Sequence, residues 1–165
     1  MLIFAEYFSD MNSFKKILGI CLLQILVFSL SAQNHEVLKS FINKNDIAIR
    51  SVQKQAIKSG SPETDQLYKE LLALQIITVN SFEQNSEKSA DIAYFVRKKC
   101  ISFLTTNAKT STEYLKLNDK ENSYFLNHKN YISDPSEINN IDSQKLRTLN
   151  LKDPHVFENL KTRID

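Results

Sequence analysis

The chain has 165 residues, of which 24% are charged, a formal net charge of +2, two glycines, three prolines, two cysteines and no tryptophan. So mild a charge argues against a nucleic-acid partner, which wants basic residues gathered on one face. The scarcity of Gly and Pro argues against an all-β fold, whose many turns consume both.

Met11 to Gln33 reads as a secretory signal peptide. Met-Asn-Ser-Phe-Lys-Lys opens it, an apolar run from Ile17 to Leu30 follows, and Ser31-Ala32-Gln33 is a small-residue exit. Lys15 and Lys16 hold to the cytoplasmic side while the run partitions into the bilayer. The run is shorter than the roughly 20 apolar residues of a membrane span, and no basic cluster follows to halt transfer. Leu18-Gly19-Ile20-Cys21 departs from a lipoprotein signal, because Ile20 stands where a small residue is wanted and Cys21 comes too early. Residues 11–32 are therefore expected to be cleaved beside Ala32. Residues 1–10 carry Glu6 and Asp10 where a leader would be basic, and read as an extension ahead of a true start at Met11. Residues 33–165 then form one domain of about 130 residues, periplasmic or secreted. It touches a membrane only through the transient leader.

The Ser-Leu-Ser-Ala-Gln ending of this leader resembles that of exported proteins of Gram-negative bacteria. The 17 Lys against 4 Arg, with abundant Asn and Ile, fit an AT-rich genome. Both likenesses concern address and codon use and cover none of the domain that follows.

Beyond the leader the spacing predicts helices throughout: an all-α, up-down-up antiparallel bundle of three long helices, with a fourth and short C-terminal ones. From His35 to Ser59, Leu38, Ile42, Asn45, Ile49, Val52 and Ala56 recur at steps of four and three and trace one stripe. Asn45 is its one polar member, and Gly60 is placed to close the helix in the left-handed region. Ser61-Pro62-Glu63 supplies an N-cap hydroxyl, a proline whose missing N–H costs nothing there, and an early acid. Glu63–Gln84 is expected to be the central helix. Leu67, Leu71, Leu74, Thr78 and Phe82 form one stripe, Tyr68, Leu72, Ile76 and Val79 a second, with Ile77 beside them. After a turn at Asn85-Ser86-Glu87, where Ser86 or Ser89 can cap, Ile92, Ala93, Val96, Cys100, Phe103, Leu104 and Ala108 line a third helix to about Asn107, resumed over Glu113–Leu117. Connections of two to four residues force neighbours to run antiparallel. Asn118-Asp119 can cap a fourth helix holding Tyr124, Phe125 and Tyr131. Asp134-Pro135 and Asp153-Pro154 should start short helices at Ser136–Ile141 and His155–Arg163.

Chemistry-bearing motifs are sparse. His35, His128 and His155 share no helix face with another His or Cys at zinc-ligand spacing, and no Glu is followed three residues later by His as a di-iron bundle requires. With Met1 and Met11 gone on processing, no Met ligand for haem or copper remains. No metal and no cofactor are expected. Cys100, left without an intramolecular partner once Cys21 departs, sits on an apolar stripe and reads as a buried thiol. Arg97, Lys98 and Lys99 would activate it only at the surface, where a redox or intermolecular role would open. Arg97, at the edge of the buried surface, is expected to pair with Asp46 or Glu70 and set helix register; the functional alternative is an anionic ligand. Tyr114-Leu115-Lys116-Leu117, with Tyr124, Phe125 and Tyr131, interleaves aromatic and basic residues. Such a run can bind sugars or single strands and more often covers the open end of a bundle.

These features point to a non-catalytic module that binds another protein or the envelope surface. The first alternative is a small-ligand carrier with an apolar interhelical pocket bordered by Tyr94, Arg97 and Cys100. The second is an enzyme whose titratable groups gather from distant segments.

Overall fold

A computed structural model describes residues 3–86, 88–108, 111–127 and 153–164, with side chains described from Ser31 onward and at Gln24. Every regular element among them is helical: α1 (Ile3–Ser59), α2 (Pro62–Glu83), α3 (Lys88–Thr106), a 3₁₀ turn (Glu113–Leu115), α4 (Asp119–Asn127) and α5 (Val156–Ile164). The expected helix at Ser136–Ile141, with His128 and Tyr131, lies outside the described residues. So do the side chains of the apolar run Ile17–Leu30, Gln24 apart. Among the residues that are described, no helix is long and apolar enough to cross a membrane.

Two compact units divide the chain, Met1–Glu36 and Val37–Asp165. In the first, Gln24 and Ser31 to Glu36 are exposed. α1 starts far ahead of the expected His35, since nothing from Ser31 to Glu36 is a Pro or Gly that would interrupt helical hydrogen bonding.

In the second unit the predicted stripe of α1 is buried throughout, Leu38, Ile42, Asn45, Ile49, Val52 and Ala56 included. Phe41 and Ala48, which the stripe did not contain, join it. Gly60 adopts φ +62°, and its N–H reaches the Ala56 carbonyl at 3.0 Å, the left-handed closure foreseen for it. Ser61 then caps α2, accepting the Thr64 N–H at 3.3 Å and donating its hydroxyl to Glu63 at 2.6 Å. α2 buries both of its stripes except for half-buried Leu67, with Leu71, Leu72 and Val79 covered completely, and packs against α3 and α5. An element apolar over more than half its circumference must be covered on several sides.

α3 buries Ile92, Ala93, Val96, Cys100 and Leu104. The helix expected to resume over Glu113–Leu117 does not: one 3₁₀ turn forms, and Lys116 goes extended at φ −62°, ψ 148°. A helix has no room to resume there because Asn118 already caps α4. The Asn118 Oδ1 accepts the Glu121 N–H at 2.9 Å, and Glu121 returns an oxygen to the Asn118 N–H at 2.9 Å. This reciprocal capping box satisfies two N-terminal amides. Asp153 does similar work at α5, taking the His155 N–H at 2.8 Å. Val156, Phe157, Leu160 and Ile164 of α5 are buried, and Arg163 grips Glu83 and Asn80 at the end of α2.

Candidate functional site

Arg97 organises the centre of the second unit. It is 2% exposed, and its three nitrogens tie α3 to two other segments: Nε donates to Asn45 Oδ1 at 2.6 Å and Nη2 to the Phe41 carbonyl at 2.9 Å, both on α1, and Nη1 to the Leu115 carbonyl at 3.0 Å in the 3₁₀ turn. Its guanidinium lies over the Phe41 ring, 4.0 Å from the centroid. Asn45 is thereby spent as well, its amide donating to the Ala93 carbonyl at 2.9 Å. The polar member of an apolar stripe is thus the side chain that receives the arginine.

The expected pairing of Arg97 with Asp46 or Glu70 is not formed. Consecutive residues of a helix point about 100° apart, so Asn45 faces α3 while Asp46 faces α2. Asp46 accepts from Gln75 Nε2 at 2.8 Å, and Glu70 takes Gln66 at the surface. The acid that acts on Arg97 is Glu121, 2% exposed, whose own oxygen holds Lys44 at 2.8 Å. Burial lowers the Arg97 pKa to about 10, still well above neutrality, while Glu121 pulls the other way. The charge is therefore retained in an apolar setting.

Beside this network a groove of about 130 Å³ opens to solvent, lined by Tyr94, Arg97, Lys98, Ile101, Leu115, Lys116 and Leu117. One wall is a single face of α3, residues 94, 97, 98 and 101 falling at i, i+3, i+4 and i+7. The other is the run after the 3₁₀ turn, anchored through the Arg97–Leu115 bond. Tyr94 packs on Phe125, centroids 5.1 Å apart, and Phe125 on Phe41 at 4.6 Å, which fixes the floor. Lys98 is exposed and has no ion pair among the described residues, whereas Lys116 is paired with Glu113.

Of the three residues singled out in the sequence, Tyr94 and Arg97 share this groove. Cys100 does not line it. One helical turn beyond Arg97, it is fully buried in the core, and desolvation pushes its thiol up to about 12 against the pull of Arg97. Native protein at about pH 8 is therefore expected to react with a maleimide at least a hundredfold more slowly than protein in urea. Equal rates measured by mass spectrometry would contradict the burial. Lys98, Ile101 and the 115–117 wall went unassigned to this site, although the Leu115-Lys116-Leu117 run was itself the signal. Tyr114, the aromatic of that run, turns away and sets its hydroxyl 3.3 Å from Ser51 Oγ.

A second buried polar junction links α1 and α2. Gln75 is fully buried and donates to the Ile42 carbonyl at 2.9 Å and to Asp46, while its own Oε1 has no partner among the described residues. Desolvation raises the Asp46 pKa to about 6; Gln75 and Arg50 act to lower it and Glu158 to raise it. The folded protein thus binds a proton that the unfolded chain has already released between about pH 4 and 6. Stability should fall as pH rises through that window, by about 2 kcal/mol, and stay at the lower level above it. Urea unfolding from about pH 4 to 7 checks this, with Asp46→Asn as control. Subtracting its profile must leave a downward slope, and a flat or rising difference would refute the assignment.

Compared with protein-family models, curated proteins and solved structures, the chain matches none of them.

Proposed function

We propose that the protein is an exported, non-catalytic binding module that docks a protein partner at the groove between α3 and residues 115–117. On this reading α1, α2 and α3 run up, down and up as an antiparallel bundle, with α4 and α5 packed across it. The two-residue connection Gly60-Ser61 and the short turn after Glu83 support that arrangement. Export rests on Met11–Gln33, and places the module in the periplasm or outside the cell. Nucleic acid is not its partner.

The observation that carries the proposal is the make-up of the groove: Arg97, Lys98 and Lys116 around Tyr94, Ile101, Leu115 and Leu117. Cations beside apolar side chains in a concave site favour recognition of an anionic, partly apolar group. A carrier with a sealed apolar cavity is supported less well, because this groove opens to solvent and Cys100 lies outside it. A thiol enzyme is disfavoured by a thiol whose pKa is held near 12.

The test is a photo-crosslinking amino acid placed at Ile101, with one at exposed Lys69 on α2 as control, in envelope extract of the source organism. A discrete adduct at 101 that is missing at 69 supports docking. Equal labelling at both positions would defeat it.

A further inference from the structure

We infer that the groove captures the C-terminal residue of its partner, holding an apolar side chain on its floor and the α-carboxylate against Arg97 and Lys98. The inference rests on the groove being the docking face.

Arg97 motivates the carboxylate. A guanidinium carries five N–H donors in a fixed fork, and the three bonds to Asn45, Leu115 and Phe41 leave two of them, one on each Nη, without an acceptor among the described residues. No carboxylate oxygen forms an ion pair with Arg97 among those residues, although the side chain is 98% removed from water and lines the groove. Glu121 acts on this cation without bonding to it, so the two free donors can still take an anion, and an arginine fork matches two oxygens at once. Lys98 adds a second cation at the rim, with no ion pair among the described residues.

Size then selects the kind of carboxylate. The groove's 130 Å³ compares with the cavity on the order of 150 Å³ that holds one benzene, so a single side chain fills it. Charge and apolar body must therefore belong to one residue. An internal Asp or Glu has the acid without the apolar body, and an internal Leu or Phe has the reverse. A C-terminal Leu, Val or Phe has both, and terminal carboxylates are a recurrent recognition target.

A fluorescein-labelled flexible hexapeptide ending in leucine is titrated into the purified full chain, as the free acid and as the C-terminal amide. The free acid should bind, and amidation should weaken binding at least tenfold. Lys98→Gln, at an exposed position with no ion pair among the described residues, should weaken the acid about fivefold and leave the amide nearly unchanged. 4-Methylpentanoate, which carries the same side chain and carboxylate without a peptide, should compete only at concentrations about a hundredfold higher. Acid and amide binding alike would overturn the carboxylate. 4-Methylpentanoate binding as tightly as the peptide would overturn the protein source in favour of a free acid. A free acid that does not bind would overturn the occupant altogether, while the crosslink at Ile101 reports separately on whether the groove docks a partner.

Discussion

Truncating Phe41 to alanine is expected to cost about 3 to 5 kcal/mol, the largest loss from any single side chain of this core. Phe41 is fully buried, packs against Phe125 with centroids 4.6 Å apart and the rings tilted by 60°, and carries the Arg97 guanidinium on its face. Its removal leaves a ring-sized void that the flanking helices close only in part, and withdraws an apolar contact from α4. The cation over the ring adds about 1 kcal/mol or more in a dry setting. Urea denaturation of Phe41→Ala reads the loss as a lowered midpoint. A midpoint within experimental error of the parent would mean that this ring does not sit at the centre of the packing.

Arg97→Met should cost about 2 to 3 kcal/mol, a smaller figure because two effects oppose one another. Methionine fills most of the space and lifts the desolvation penalty of the cation. Against that, Asn45 Oδ1 and the Leu115 carbonyl lose their donor while remaining buried, at about 1 to 3 kcal/mol each. A rise in stability would show that desolvation outweighs the network, as happens when some buried ion pairs are replaced by apolar side chains. Because Arg97 and Phe41 touch, the double variant should lose less than the sum of the singles, by about 1 kcal/mol. Strict additivity would deny the stacking contact. Losing the Leu115 tether should also loosen the 115–117 wall, so Arg97→Met should bind the free-acid peptide worse than its stability change alone explains.

The two networks differ in how their charges are met. Asp46 is served by a neutral amide and by Arg50, which is itself committed to Glu158 at 2.8 Å, so burial dominates and the carboxyl titrates high. The Arg50–Glu158 pair is about half exposed and contributes little by itself. The apolar face of α5, with Phe157 and Leu160 buried, is what secures that helix.

Caps, buried stripes and most helix positions, though not the start of α1 or the stretch Glu113–Leu117, were legible from the residues because they are local properties. A side chain at i meets i+3 and i+4 whatever the rest of the chain does, and Gly60, Ser61, Asn118 and Asp153 end or start helices through hydrogen bonds to their immediate neighbours. Asn45 was even visible as the polar interruption of an apolar stripe. Cys100 was legible for the same reason, since its place on a stripe is enough to bury it. The sequence by itself thus determined that the chain is helical and which faces must be hidden.

The partners of the hidden polar groups were decided by tertiary structure. Asp46 and Asn45 are adjacent in the chain, yet their side chains diverge by about 100° and meet different helices, so the aspartate was a reasonable partner for Arg97 by charge and the asparagine the actual one by direction. Arg97 draws on carbonyls at Phe41 and Leu115, far from it in the chain on either side, and periodicity carries no information about which helix a stripe will face. The groove follows the same rule. Its α3 wall is a helical repeat, but its second wall exists because Arg97 fastens Leu115 and Asn118 turns the backbone into α4. Local pattern sets what a side chain needs, and only the packed chain sets what it finds.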